Sequence, residues 1–133
     1  MKLELRGAEV FQLGGYLKGM EESREFSFSV RRRLMKFNKV LQPEFEMIQK
    51  EAQKITEEYV EKDENGSPKI ENGAPVYIKD KQKEMLDKLS EIENEVITLE
   101  FEEFKLPEKV FDNFACSASV IEIVEKNFLE EEE

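Results

Sequence analysis

Histidine and tryptophan do not occur in this chain, and there is one cysteine, Cys116. Without imidazole, the commonest general base and the commonest metal ligand are both gone. A single thiol excludes an intrachain disulfide and makes a reducing compartment the simplest setting. Glycine-rich phosphate loops are missing too, because Gly14-Gly15 lacks the further glycines, the lysine and the hydroxyl that such loops use. The run Asp63-Glu64-Asn65-Gly66 lacks the alternating ligands and closing glutamate of a calcium loop, and turn chemistry accounts for it. No apolar run approaches the ~18 residues of a spanning helix, and MKLELRGAEVF holds no apolar leader core. These absences predict a non-enzymatic protein with no cofactor, no metal and no membrane contact, soluble in the cytoplasm.

What the chain does have is charge. Of 133 residues, 38% are charged and 39% hydrophobic, with a formal net charge of -11. That balance suits long solvent-bathed helices sharing one apolar seam, and the ten phenylalanines argue against disorder. The length predicts a single domain, 1–133, with a frayed acidic tail over Glu130–Glu133. Residues 1–42 hold nine Lys/Arg against five Asp/Glu, a net +4, whereas 43–133 hold eleven against twenty-six, a net −15. A surface so largely acidic repels phosphate polymers, which excludes general nucleic-acid binding.

Hydrophobic periodicity predicts an α+β fold that is mainly helical. Met1, Leu3 and Leu5 alternate with charged residues as a half-buried strand. GAEVFQLGGYLKGM reads as a helix that Gly14 and Gly15 weaken, unless they admit a close neighbour. A long helix starts at Ser27 or Ser29 and runs to about Lys62, with a stripe of Leu34, Phe37, Leu41, Phe45, Ile48, Ala52, Ile55 and Tyr59. Pro43 falls where the 3–4 spacing slips, which predicts a kink or two abutting helices at Leu41–Pro43.

Asn65-Gly66 and Asn72-Gly73 mark tight turns, with Pro68–Ile70 and Val76–Ile78 able to pair as a small ribbon. A second helix carries Met85, Leu89, Ile92 and Val96 and should lie antiparallel to the long one, making a kinked hairpin with the ribbon at its tip. VITLEFEEFKL supplies a strand, Val96–Leu106, to pair with Met1–Leu5, with a bulge at Glu102-Glu103. Two short C-terminal helices follow, one after Pro107 and one opened by a Ser119–Glu122 capping box. The long helix offers eight stripe positions and the second helix four, so the surplus must meet the chain's own termini or another subunit. A homo-oligomer is the expectation.

One stretch runs against the overall charge: SVRRRLMKFNKVL, Ser29–Leu41, with five basic residues in thirteen. Arg32, Lys36 and Lys39 share one helical side, Arg31 and Arg33 flank the apolar one, and Arg24 approaches from the preceding segment. Cations near a helix start oppose the helix dipole by about 0.3–1 kcal/mol each, so local stability does not explain them. Two accounts stay open. The acidic second half makes internal pairing the simpler one. The other is a site for an outside anion or partner, built from Arg24, Arg31, Arg32, Arg33, Lys36 and Lys39. Cys116, with no histidine to activate it, reads as a small packing residue.

From about Val40 to Leu106 the chain resembles a set of small bacteriophage proteins of unknown function. The matching segments are EEYVEKDENGSP with Tyr59, Asp63, Gly66 and Pro68; YIKDKQKEM; and ENEVITLEFEEFKL with Glu95, Val96, Leu99 and Phe101. GAEVFQLGGYLKGM followed by ESR is similar to such proteins as well, whereas the tripled arginine and FDNFACSAS lie outside the resemblance. Some members are labelled virion structural proteins, and no catalytic residues carry over. Small size, high acidity, the local basic patch and the lack of catalytic groups make an inhibitor or sequestering protein of phage type, acting in a bacterial host on a defence factor or an anionic signal, the leading expectation. Its alternatives are a virion structural or assembly component, or an acidic nucleic-acid mimic. The expected partner is a protein or a small anionic ligand.

Overall fold

The computed structural model describes residues 1–130. Strand β1 (Lys2–Arg6) runs directly into helix α1 (Gly7–Glu21), and a short turn leads to the long helix α2 (Phe28–Glu58). The two-residue strands β2 (Ile70–Glu71) and β3 (Ala74–Pro75) precede helix α3 (Gln82–Asn94) and strand β4 (Val96–Glu100). A single 3-10 turn, Glu108–Phe111, and helix α4 (Ala118–Asn127) complete the described chain. The architecture is α+β: helices with two small antiparallel sheets.

Strand β1 pairs with β4 in the register Leu3↔Leu99 and Leu5↔Ile97, which turns Leu3, Leu5 and Leu99 into the core. The ladder finishes with two bonds between Met1 and Phe101, at 3.0 and 2.8 Å. Beyond them the chain leaves the sheet, so the expected strand to Leu106 stops at Glu100 and Glu102-Glu103 is an irregular segment, not a bulge. Leu106 bridges instead to Leu129.

Ser27 caps α2, its hydroxyl accepting the Val30 N–H at 3.3 Å. The helix continues unbroken through Pro43, which replaces the expectation of two abutting helices. Proline removes one backbone bond, and the burial of Leu41 and Phe45 on either side of it outweighs that loss.

Helix α1 covers the first half of α2. Gly14 meets the Phe45 ring so closely that a Cβ there would stand 2.9 Å from it, so this glycine serves close approach. Side-chain amides bind the seam: Asn38 donates to the Leu17 carbonyl at 3.1 Å, and Gln42 donates to the Gly14 carbonyl at 2.9 Å. Helix α3 packs on the later half of α2 and on α1, completing the expected hairpin. Val96, expected on its stripe, instead opens β4 and is exposed.

The four stripe residues Leu34–Phe45 are buried within this one chain, in a cluster with α1, the sheet, α4 and the C-terminal segment. The surplus of the long helix is therefore met internally, and that ground for oligomerisation falls away.

The ribbon forms, in a different register from the expected one. Ile70 pairs with Pro75 and Glu71 with Ala74 around Asn72-Gly73, whose φ values of 52° and 78° suit a primed turn. Val76–Ile78 turns back on the residues after α2 through the bridge Val60↔Tyr77, and Pro68, before β2, bridges to Lys62.

Helix α4 starts after Ser117, two residues before the expected Ser119. Glu130 of the expected frayed tail is held, its N–H donating to the Leu106 carbonyl at 3.0 Å. Residues 131–133 lie outside the described residues.

Candidate functional site

Four phenylalanines fix the centre of the site. Phe37, on the buried face of α2, has the rings of Phe101, Phe104 and Phe128 around it, with centroids 4.8, 5.2 and 5.1 Å away. Phe37 and Phe128 are buried, while Phe101 and Phe104 stay half-exposed. The segment that carries these two rings is pinned by Arg33, four residues before Phe37 and so on the same helical side. The Arg33 guanidinium donates to the Lys105 carbonyl at 2.7 Å, to Glu130 at 3.0 Å and to the Ser29 hydroxyl at 3.1 Å. The Lys105 ammonium donates in turn to the Asn127 carbonyl at 2.9 Å, at the negative end of α4.

Two adjoining cavities open between α2 and this segment. The larger, about 330 Å³, is lined by Arg33, Lys36, Phe37, Phe101, Phe104 and Lys105, with Glu102 and Glu103. The smaller, about 190 Å³, is lined by Phe28, Ser29, Arg32, Arg33 and Lys36. Arg33 and Lys36 belong to both, so the two spaces form one groove. At its open end Phe28 is 76% exposed, an aromatic ring with no packing role.

The basic cluster therefore divides. Arg33 is internal bracing, as the simpler account has it. Arg32 and Lys36 line the groove with no carboxylate within 4 Å among the described residues. Arg24, Arg31 and Lys39 are not brought to it. Arg24 is exposed in the α1–α2 turn and Lys39 on the outer face of α2, while Arg31 is half-buried with its Nε enclosed and unpartnered among the described residues. Sequence periodicity missed Phe28, Phe101, Glu102, Glu103, Phe104, Lys105 and Glu130. The slip in spacing between Phe101 and Phe104 was the available signal, since it marks where the chain leaves the sheet.

The groove offers cations, acceptors and aromatic faces. Among the described residues its one hydroxyl, that of Ser29, accepts from Arg33 and stands beside no base. Cys116 is packed against the core elsewhere, where burial pushes its thiol up from 9.0 and away from the nucleophilic form. Among the described residues no helix is long and apolar enough to cross a membrane, and no three His, Cys, Asp or Glu side chains cluster in a way that could hold a metal ion.

Protein-family models, curated proteins and solved structures give no match to this chain.

Proposed function

We propose that this chain is a non-enzymatic binding protein that captures an anionic group in the groove between α2 and the segment Phe101–Lys105. One observation carries the reading. Arg32 and Lys36 stand unpaired among the described residues beside a half-open concave space, in a protein whose surface is otherwise largely acidic. An unpaired cation pair in a concave, partly apolar site attracts an anion more strongly than the same pair on an open face. Arg33 supports them as a rigid fork, already oriented by Ser29 and the Lys105 carbonyl.

The resemblance of Val40–Leu106 to small bacteriophage proteins supplies the setting: sequestration of an anionic signal, or blocking of a host factor through its anionic group, in the bacterial cytoplasm. The charge of the rest of the molecule keeps polymers of phosphate away, so the captured group belongs to something small or to a protein.

Isothermal titration with inorganic pyrophosphate at low ionic strength tests the reading. Arg32→Glu and Lys36→Glu should abolish binding while Arg24→Glu, outside the groove, retains it. Equal losses in all three variants would reduce the effect to general charge and defeat the proposal.

A further inference from the structure

We propose that the free edge of β4 is a docking site for an extended basic segment of another protein, which joins the sheet as a third strand. The ladder shows which backbone groups are available. Met1 and Phe101 exchange both of their backbone bonds, so antiparallel alternation makes Leu3↔Leu99 and Leu5↔Ile97 bonded pairs as well. The N–H and C=O groups of Val96, Thr98 and Glu100 therefore point the other way, along an edge beside which no third strand lies among the described residues. All three residues are exposed, Val96 at 61%, and unpaired backbone groups of exposed residues face water.

The two edges of the sheet differ. At β1 the Arg6 N–H is already taken by Glu9 at 2.8 Å, and the outward side chains Lys2, Glu4 and Arg6 alternate in charge. Charges so placed discourage a strand from adding. Strand β4 has no proline, no bulge and no cation. Its Val96-Ile97-Thr98 run is β-branched throughout, the composition that best suits a pleated neighbour.

Charge selects the occupant. Residues 93–103 hold five glutamates and no lysine or arginine. Each carboxylate is exposed and contributes little alone, but together they set the sign of the strand that approaches. Lys2 pairs with Glu100, and the groove's cations stand near Glu102 and Glu103. The pull is therefore strongest at the Val96 end, where Glu93 and Glu95 have no ion partner among the described residues. A second copy adding β4 to β4 would set five glutamates against five. A neutral strand would gain the backbone bonds alone. A basic strand gains both, with cationic side chains outward and apolar ones inward beside half-buried Ile97.

The test is hydrogen exchange by NMR on the intact chain, with and without a capped six-residue peptide of alternating lysine and valine. In the free chain the amides of Ile97 and Leu99 should exchange slowly, and those of Val96, Thr98 and Glu100 fast. The peptide should slow the fast set. Thr98→Pro removes an N–H that β1 does not use, so the ladder stays and the peptide should bind ~10-fold or more weakly. The same peptide with every amide N-methylated keeps its charge without its donors, and should give no protection to the unmodified chain. Equal binding of the methylated peptide would reduce the contact to charge and overturn the proposal. Slow exchange at Val96, Thr98 and Glu100 in the dilute free chain would overturn it too, as an edge already covered. Protection of those amides that grows with protein concentration alone would replace the basic partner by a second copy. No binding of the lysine–valine peptide would leave the edge without the assigned occupant and defeat the inference.

Discussion

Arg33 and Glu130, ninety-seven residues apart in the chain, meet at 3.0 Å and tie the C-terminal segment to the first turns of α2. Their side chains remain 36% and 47% exposed, so the pair contributes little to stability. Its consequence is electrostatic: besides Glu102 and Glu103 on the groove wall, a third carboxylate stands against one of the groove's cations. Glu130→Gln should therefore tighten pyrophosphate binding ~2–5-fold, the effect of removing one screened like charge. Unfolding free energy should move by no more than ~0.5 kcal/mol, because the Glu130 N–H still bonds the Leu106 carbonyl. Calorimetry and urea denaturation read the two quantities separately.

Adjacent glycines on α1 should respond in opposite directions. At Gly14 an added methyl would stand 2.9 Å from Phe45, and overpacking of that kind costs ~1–3 kcal/mol, more than the helix-propensity gain of alanine. At Gly15 the nearest Phe45 atom would be 3.8 Å away, an ordinary contact. Gly14→Ala should lower the urea midpoint, and Gly15→Ala should raise it by ~0.5–1 kcal/mol of stability. The difference in sign is the measurement.

Pro43 is exposed in a helix that runs on regardless. Restoring the missing N–H with Pro43→Ala should stabilise the protein by ~1–3 kcal/mol, visible as a higher thermal midpoint. An unchanged midpoint would mean that the neighbouring turns have already absorbed the proline's cost.

Burial raises both the Cys116 thiol above 9.0 and the Tyr16 phenol above 10.0, the latter while its hydroxyl donates to the Val110 carbonyl at 2.7 Å. In the fold each group keeps its proton at a pH where the unfolded chain has begun to lose it. Their contribution is thus fully present below pH 9 and fades as pH rises through the folded values. Urea midpoints should be level from pH 7 to about 8.5 and fall beyond that. In Cys116→Ser/Tyr16→Phe the alkaline fall should flatten.

Local chemistry made much of the fold legible. The Ser27 cap, the alternation of Leu3 and Leu5 against Ile97 and Leu99, and the positive φ of Asn72 and Gly73 all follow from residue type and near neighbours. The helix boundaries at Glu58 and Ser117 fell elsewhere because tertiary contacts set them. Val60 is taken up by a bridge to Tyr77, and Ser117 by a bond from its N–H to the Gln12 side chain at 2.8 Å.

The site was half legible. Arg32, Arg33 and Lys36 stand out as basic residues at helical spacing in an acidic chain, and the same spacing drew in Lys39, which stays on the outer face. Phe101 and Phe104 read as residues of one strand; the slip in their spacing records that the chain leaves the sheet after Phe101, but nothing local records that both rings join Phe37, more than sixty positions earlier. Asn38 and Gln42 lie on the α1-facing side of α2, where an apolar pattern passes over polar residues that bond α1 carbonyls.

The central claim, that anions are held between α2 and the Phe101–Lys105 segment, is tested most directly by following amide and side-chain NMR signals through a pyrophosphate titration. The account expects Phe28–Phe37 and Phe101–Lys105 to shift together along one saturating curve, with an affinity that weakens as salt is added. Shifts confined to the hairpin tip at 60–80, or spread without saturation over every lysine and arginine, would contradict it.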